Sequence, residues 1–319
     1  MKKTIIAILS AVLIGSFTAG CASNANKDAV NNQSSKEYKT LNIKQDLGDI
    51  TISKKPEKVV VFDYGALDTL QALNVEPVGV VKDNLPEYLS KYKDNKYTAI
   101  GGLKEPNFEV ISELQPDLII ISARQSDHYK ELSKIAPTLY VGLDTKKYLD
   151  SFKSNTTNLA QIFQKEEEGK KKIEAIETRV KDVQEEVNKK AKDKKSLIML
   201  ANDGNISAYG PGSRFALVDT LGFKAVDEKV EASTHGQKIG YEYIKEKNPD
   251  YIFIIDRSAA LATKGTSSAK QSLENDLVKS SNAYKEGKMV YLDPSYWYLS
   301  GGGIKSMEVM IEEVAKALK

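Results

Sequence analysis

The chain has 319 residues, 41% of them hydrophobic and 28% charged, with a formal net charge of +2. That length suggests two domains, and the near-neutral balance excludes a dedicated nucleic-acid surface. The single cysteine, Cys21, rules out an internal disulfide.

Met1-Lys2-Lys3 is a short basic start, Thr4 to Phe17 is mostly apolar, and small residues lead to Cys21. Basic head, apolar middle and small-residue exit predict a secretory signal over residues 1–20. The apolar stretch is too short and too rich in small residues for a permanent membrane helix. Cys21 stands where a lipoprotein signal places its lipidated cysteine, after Thr18-Ala19-Gly20, with Thr18 where that motif usually has Leu. A plain signal peptide with an incidental cysteine is the alternative. Residues 21–40, rich in Asn, Ser, Lys and Ala, read as a flexible tether between a lipid anchor and a folded body.

Beyond the tether, short apolar runs alternate with helical patterns. Strands are predicted at Val59–Phe62, Val78–Val81, Leu118–Ile121 and Thr138–Val141, with a helix from Asp63 or Tyr64 to about Leu73. The same alternation returns at Leu197–Ala201, Tyr251–Ile255 and Met289–Leu292. Continuous apolar strands separated by helices indicate parallel-rich α/β units. Between them, from Lys165 to about Lys192, the chain is charge-dense and free of proline. Its apolar residues Ile173, Ile176, Val180, Val183 and Val187 recur at steps of three and four. That stripe suits either a short coiled coil or one helix lying across two domains, and its mid-chain position favours the second. The expected organisation is an N-terminal α/β lobe over 41–164, a connecting helix over 165–193 and a C-terminal α/β lobe over 194–319.

An internal repeat supports two matched lobes. Glu109–Arg124 reads EVISELQPDLIIISAR and Glu242–Arg257 reads EYIKEKNPDYIFIIDR, each aligned pair 133 positions apart (109 to 242, 124 to 257). Both copies have a Glu at a helix start, a Pro-Asp turn, an apolar strand and an Arg at the strand's C-terminal end, where open α/β sheets bind ligands. Arginine is scarce. Of 46 Lys plus Arg only Arg124, Arg179, Arg214 and Arg257 are arginines. Arg179 lies in the charged helix and reads as a solvated surface residue, whereas the other three sit at strand ends or in the turn Tyr209–Arg214. Planar five-donor forks converging on a cleft would hold an anion with several oxygens, although any one of them can instead be a structural ion-pair partner.

The segments Val59–Leu70, Ile119–Arg124, Ala201–Gly210, Ser233–Gly236, Asn248–Arg257 and Tyr291–Gly303 together resemble the siderophore-binding lipoproteins of bacterial ABC importers, catecholate type. The resemblance implies two α/β lobes joined by a single long helix, with the ligand cleft between the lobes. It implies that Arg124, Arg214 and Arg257 contact a ferric siderophore; Trp297, the only tryptophan, joins the ligand-binding set because it lies beside Tyr298. His235 and Tyr298 match a His and a Tyr that ligate iron when a tetradentate siderophore leaves positions open. Glu109 and Glu242 match one glutamate per lobe that docks the importer's membrane permease subunits. The ferric complex is cargo, no intrinsic cofactor or catalysis is implied, and the expected location is outside the cell membrane, anchored through Cys21.

Hydroxamate siderophores, haem and cobalamin are alternative ligands of the same fold, and the arginines favour the more anionic catecholates. A secreted hydrolase is the remote alternative. The chain has no G-x-S-x-G elbow, and Gly301-Gly302-Gly303 lacks the Lys-Ser/Thr ending of a P-loop. A bare zinc or manganese site would need several histidines, and only His128 and His235 exist. A purely structural surface protein would not need arginines in a cleft.

Overall fold

β-Branched residues buried on both faces of a sheet make short, continuous apolar strands, and Val59–Val61 and Leu118–Ile121 are of this kind. The structure, a computed structural model, describes residues 38–261 and 267–319. The expected secretory leader, Cys21 and nearly all of the expected 21–40 tether fall outside the described residues. In the N-terminal lobe five parallel strands run in the spatial order Thr98–Ala99, Gly79–Val80, Val59–Val61, Leu118–Ile121, Thr138–Tyr140. Helix Tyr64–Ala72 follows the central strand at once, its first turn capped by Asp63 Oδ1 accepting from the Ala66 N–H at 2.8 Å.

Two features of this lobe were not read from the sequence. Thr98–Ala99 is too short to carry a periodic signal. The hairpin Leu41–Ile43 and Ile50–Ile52 leads to Gln45, whose amide covers the open sheet edge. Gln45 donates to the Thr138 carbonyl at 3.0 Å and accepts from the Tyr140 N–H at 2.7 Å, so one side chain stands in for a missing strand.

The C-terminal lobe keeps the expected parallel-rich core and adds antiparallel pairings at one side. Its strands run in the order Gln237–Ile239, Asn205–Tyr209, Lys195–Asn202, Tyr251–Asp256, Met289–Leu292, with Lys224–Ala225 also pairing to the start of Lys195–Asn202. The last three of the ordered strands are parallel, but Asn205–Tyr209 and Gln237–Ile239 are antiparallel to their neighbours. The reversal occurs at Asp203-Gly204, both at positive φ (48° and 75°), an Asp-Gly hairpin turn.

The repeat is one supersecondary unit used twice. Helices Phe108–Leu114 and Tyr241–Lys247 each end on a left-handed residue, Gln115 (φ 48°) and Asn248 (φ 43°). The Asp after the proline then clasps the central strand of its sheet. Asp117 accepts from the Glu57 and Lys58 N–H groups at 3.0 and 2.9 Å, and Asp250 accepts from the Lys195 N–H at 2.9 Å.

The charged segment forms one 25-residue helix, Glu166–Lys190, about 37 Å long at 1.5 Å per residue. Its stripe Ile173, Ile176, Val180, Val183 and Val187 is buried against helix Tyr148–Ile162 and the C-terminal helix Ile304–Lys316, which disposes of a free coiled coil. Arg179 is not simply solvated. Its Nε and Nη2 engage both carboxylate oxygens of Glu312, the second at 3.1 Å, tying the long helix to the C-terminal helix. Helix Tyr148–Ile162 also straddles the lobes, with Tyr148 and Phe152 in the C-terminal core and Leu159 to Phe163 in the N-terminal core. Among the described residues no helix is long and apolar enough to cross a membrane.

Candidate functional site

Strand Met289–Leu292 ends in the segment Asp293–Gly303, which contains a single turn of π-helix, Ser295–Leu299. Such turns interrupt the regular ladder of helix hydrogen bonds. Here the carbonyls of Tyr298 and Leu299 accept from arginine side chains. Arg124, at the end of strand Leu118–Ile121, donates through Nη2 to the Tyr298 carbonyl at 2.7 Å and through Nη1 to the Leu299 carbonyl at 3.4 Å. Arg214, in the Gly-Pro-Gly turn of the other lobe, donates to the same Tyr298 carbonyl at 2.8 Å. Arg257, at the end of strand Tyr251–Asp256, donates through Nε to the Tyr298 hydroxyl at 2.8 Å.

The structure therefore brings all three sequence-selected arginines onto one tyrosine, two from the C-terminal lobe and one from the N-terminal lobe. The guanidinium of Arg214 also lies 4.2 Å from the Tyr298 ring centroid and 5.5 Å from that of Phe215, both cation–π distances. Burial and the neighbouring Arg124 charge lower the Arg214 pKa from its ordinary value. For Tyr298, burial pushes the phenol pKa up. The hydrogen bond from Arg257 and the charges of Arg214 and Arg257 outweigh burial and leave it lowered. A tyrosine with a lowered pKa is easier to convert to phenolate, a hard oxygen donor. Among the described residues, bonds to protein engage two of the five N–H donors of Arg124 and two of Arg257, and Arg214 holds both the carbonyl and the side chain of Tyr298.

Residues not singled out from the sequence hold this trio. Asn202 Oδ1 accepts from Arg257 Nη1 at 3.0 Å, and its place at the C-terminal end of a strand was the available signal. The turn carrying Arg214 is fixed by Asp219, which accepts from the Gly212 N–H at 3.1 Å. Gly212 has φ +69°, a conformation that strains any residue with a Cβ. Across the lobe boundary Thr145 donates its hydroxyl to the Gly212 carbonyl at 2.6 Å.

The remaining sequence-selected residues separate. His235 is exposed in a loop stitched to the Arg214 turn through Ser233, whose carbonyl accepts from the Arg214 N–H at 3.4 Å and whose N–H donates to Ser213 Oγ at 3.2 Å. Among the described residues no hydrogen bond joins His235 to Tyr298, and no three His, Cys, Asp or Glu side chains gather as a metal site. Trp297 does not line the cleft, which corrects its place in the ligand-binding set. It is 3% exposed in the C-terminal core, and its indole N–H donates to Glu313 at 2.8 Å. Adjacent residues in a helical turn point in different directions, so Tyr298 faces the arginines while Trp297 faces the C-terminal helix. Glu109 and Glu242 are exposed at the same position, the second residue, of the two repeated helices.

A family model for periplasmic binding proteins matches residues 59–296. The petrobactin-binding protein YclQ of Bacillus subtilis (strain 168) is 47% identical, with all of both chains covered. Its crystal structure superposes with a TM-score of 0.84, over 88% of this chain and 99% of that one, at 50% identity. The periplasmic catecholate-siderophore binding protein VctP of Vibrio cholerae gives a TM-score of 0.82 at 38% identity, over 86% of this chain and 99% of that one. The ferric-anguibactin-binding protein FatB of Vibrio anguillarum is 35% identical over 86% of each chain.

Proposed function

The chain belongs to the periplasmic binding protein family, and we propose that it captures a ferric catecholate siderophore outside the cell membrane and delivers it to an ABC importer. One observation carries this reading: three guanidiniums from both lobes converge on Tyr298. Ferric iron prefers hard oxygen donors, and a ferric tris-catecholate carries about three negative charges on its oxygens. Arginine forks match such oxygens, each charge-assisted hydrogen bond contributing about 1.5–3 kcal/mol. The ligands named for the petrobactin, catecholate and anguibactin relatives support the same class.

When the siderophore is tetradentate, two iron positions are open, and we assign them to the Tyr298 phenolate and the His235 imidazole. The arginines around Tyr298 favour the phenolate, and the His235 loop is tied to the Arg214 turn. Glu109 and Glu242 present one carboxylate per lobe to the permease subunits, and Cys21 carries the lipid that keeps the protein at the membrane.

Calorimetric titration with a panel of ferric siderophores, haem and cobalamin tests the reading. Ferric catecholates are expected to bind most tightly. Tighter binding of a ferric hydroxamate, haem or cobalamin overturns the ligand class. Trp297, buried beside Tyr298, serves as an internal reporter, since energy transfer to a coloured complex does not need contact.

A further inference from the structure

We infer that Asp68, working with Tyr88, is the positioning residue that seats Tyr298 among the arginines, and that it does so from the opposite lobe. The inference rests on the proposed binding role of Tyr298.

The C-terminal helix Ile304–Lys316 starts immediately after the Tyr298 turn, and Gly303 at its N-cap has no side chain to satisfy the first-turn N–H groups. Asp68, on helix Tyr64–Ala72 of the N-terminal lobe, supplies that cap. Its Oδ1 accepts from the Lys305 N–H at 2.9 Å, and its Oδ2 accepts from the Ser306 N–H at 2.7 Å. The Ser306 hydroxyl lies 2.9 Å from Asp68 Oδ2 and 2.7 Å from the Ser300 carbonyl. The approach requires glycine. A Cβ on Gly303 would sit 2.4 Å from Asp68 Oδ2, and one on Gly65 would sit 2.9 Å from the Gly301 carbonyl. The Gly301-Gly302-Gly303 run thus serves packing of one lobe's helix against the other lobe's binding segment.

Tyr88 extends the hold to the turn itself. Its hydroxyl donates to Ser300 Oγ at 2.8 Å and lies 3.4 Å from Asp68 Oδ2, while its ring stacks on Tyr296 at 4.6 Å. Ser300 Oγ in turn donates to the Ser295 carbonyl at 2.7 Å, closing the Ser295–Leu299 turn. Both ends of the segment bearing Tyr298 are therefore fixed by N-terminal-lobe side chains. Asp68 is 1% exposed, and burial raises its carboxyl to about 6 against these hydrogen bonds. An amide is isosteric with the carboxyl and keeps an acceptor oxygen, so Asp68→Asn is expected to fold.

The test uses ligand-free protein carrying [13Cζ]tyrosine, with the Tyr298 resonance identified by its absence in Tyr298→Phe. Asp68→Asn leaves an amide that can accept from only one of the two helix N–H groups. Tyr88→Phe keeps the ring stack and deletes the hydroxyl. Both variants should fold, and both should raise the proton affinity of Tyr298 by about tenfold as contact with Arg257 loosens. An unmoved Tyr298 titration in either folded variant overturns the inference, whatever happens to ligand affinity. A shifted titration with unchanged binding of a ferric bis-catecholate sustains the positioning role and instead refutes iron ligation by Tyr298.

Discussion

Replacing Arg257 with lysine keeps the charge and removes the fork. Among the described residues two of its five N–H donors are engaged, Nε with the Tyr298 hydroxyl at 2.8 Å and Nη1 with Asn202 at 3.0 Å, leaving three for a ligand. An ammonium has three donors. Satisfying both protein acceptors leaves it one, and abandoning either loosens Tyr298. At least one charge-assisted bond to the ligand is lost, about 1.5–3 kcal/mol, or roughly a 10- to 150-fold rise in Kd. Arg179→Lys is the control. Arg179 bridges Glu312 on the far helices, so that change should cost some thermal stability and leave Kd within about twofold. The assay is calorimetry of a ferric catecholate with each variant at fixed salt. Equal effects of Arg257→Lys and Arg179→Lys on Kd refute the argument that guanidinium geometry, rather than net charge, makes the site.

If Tyr298 ligates iron, its phenol releases one proton on binding a tetradentate complex. That affinity should rise by up to about tenfold per pH unit while the free phenol is protonated, flattening once pH passes its lowered pKa, and Tyr298→Phe should abolish the slope. A slope shared equally by hexadentate complexes contradicts this. Replacing Glu109 and Glu242 together with Ala should leave siderophore binding intact and abolish iron-siderophore uptake in cells; uptake that persists rules out docking through these carboxylates. Asp219 is raised to about 6 by burial, so it binds its proton more tightly folded than unfolded. Its stabilising contribution is complete below the ordinary Asp value of about 4 and is lost as pH rises through 6, so Asp219→Asn should raise Tm more at pH 7 than at pH 4. A mutant-minus-wild-type difference in Tm that does not vary with pH refutes that assignment.

The fold was legible where burial writes a simple pattern. Val59–Val61, Leu118–Ile121 and residues 251–255 of strand Tyr251–Asp256 are apolar because helices cover both sheet faces, and the stripe from Ile173 to Val187 records two packing partners. Asn205–Tyr209 and Gln237–Ile239 were missed because they are short and partly exposed, although Asp203-Gly204 announced the turn between the first of them and its neighbour. The arginines stood out because lysine serves almost everywhere else. What no one-dimensional pattern carries is that Arg124 and Arg214, 90 positions apart (124 to 214), share one carbonyl oxygen, or that an Asp at position 68 caps a helix beginning at Ile304. Trp297 was placed with its neighbour Tyr298 by sequence adjacency, whereas the π-turn sends the two side chains to opposite sides.

The shared carbonyl has an energetic consequence for selectivity. Arg124 and Arg214 carry like charges and meet at the Tyr298 oxygen, 2.7 and 2.8 Å away, where a backbone dipole is their common acceptor. A dipole offsets less of that repulsion than an anion does, and the lowered pKa of Arg214 reflects both its burial and the Arg124 charge. The two guanidiniums are therefore held together at a cost in stability. Only a ligand that brings negative charge to this point recovers it. A ferric tris-hydroxamate is neutral overall and can accept hydrogen bonds without neutralising the pair. A ferric catecholate can do both, so under the proposed function discrimination between the two classes is expected from relief of this repulsion as well as from new contacts.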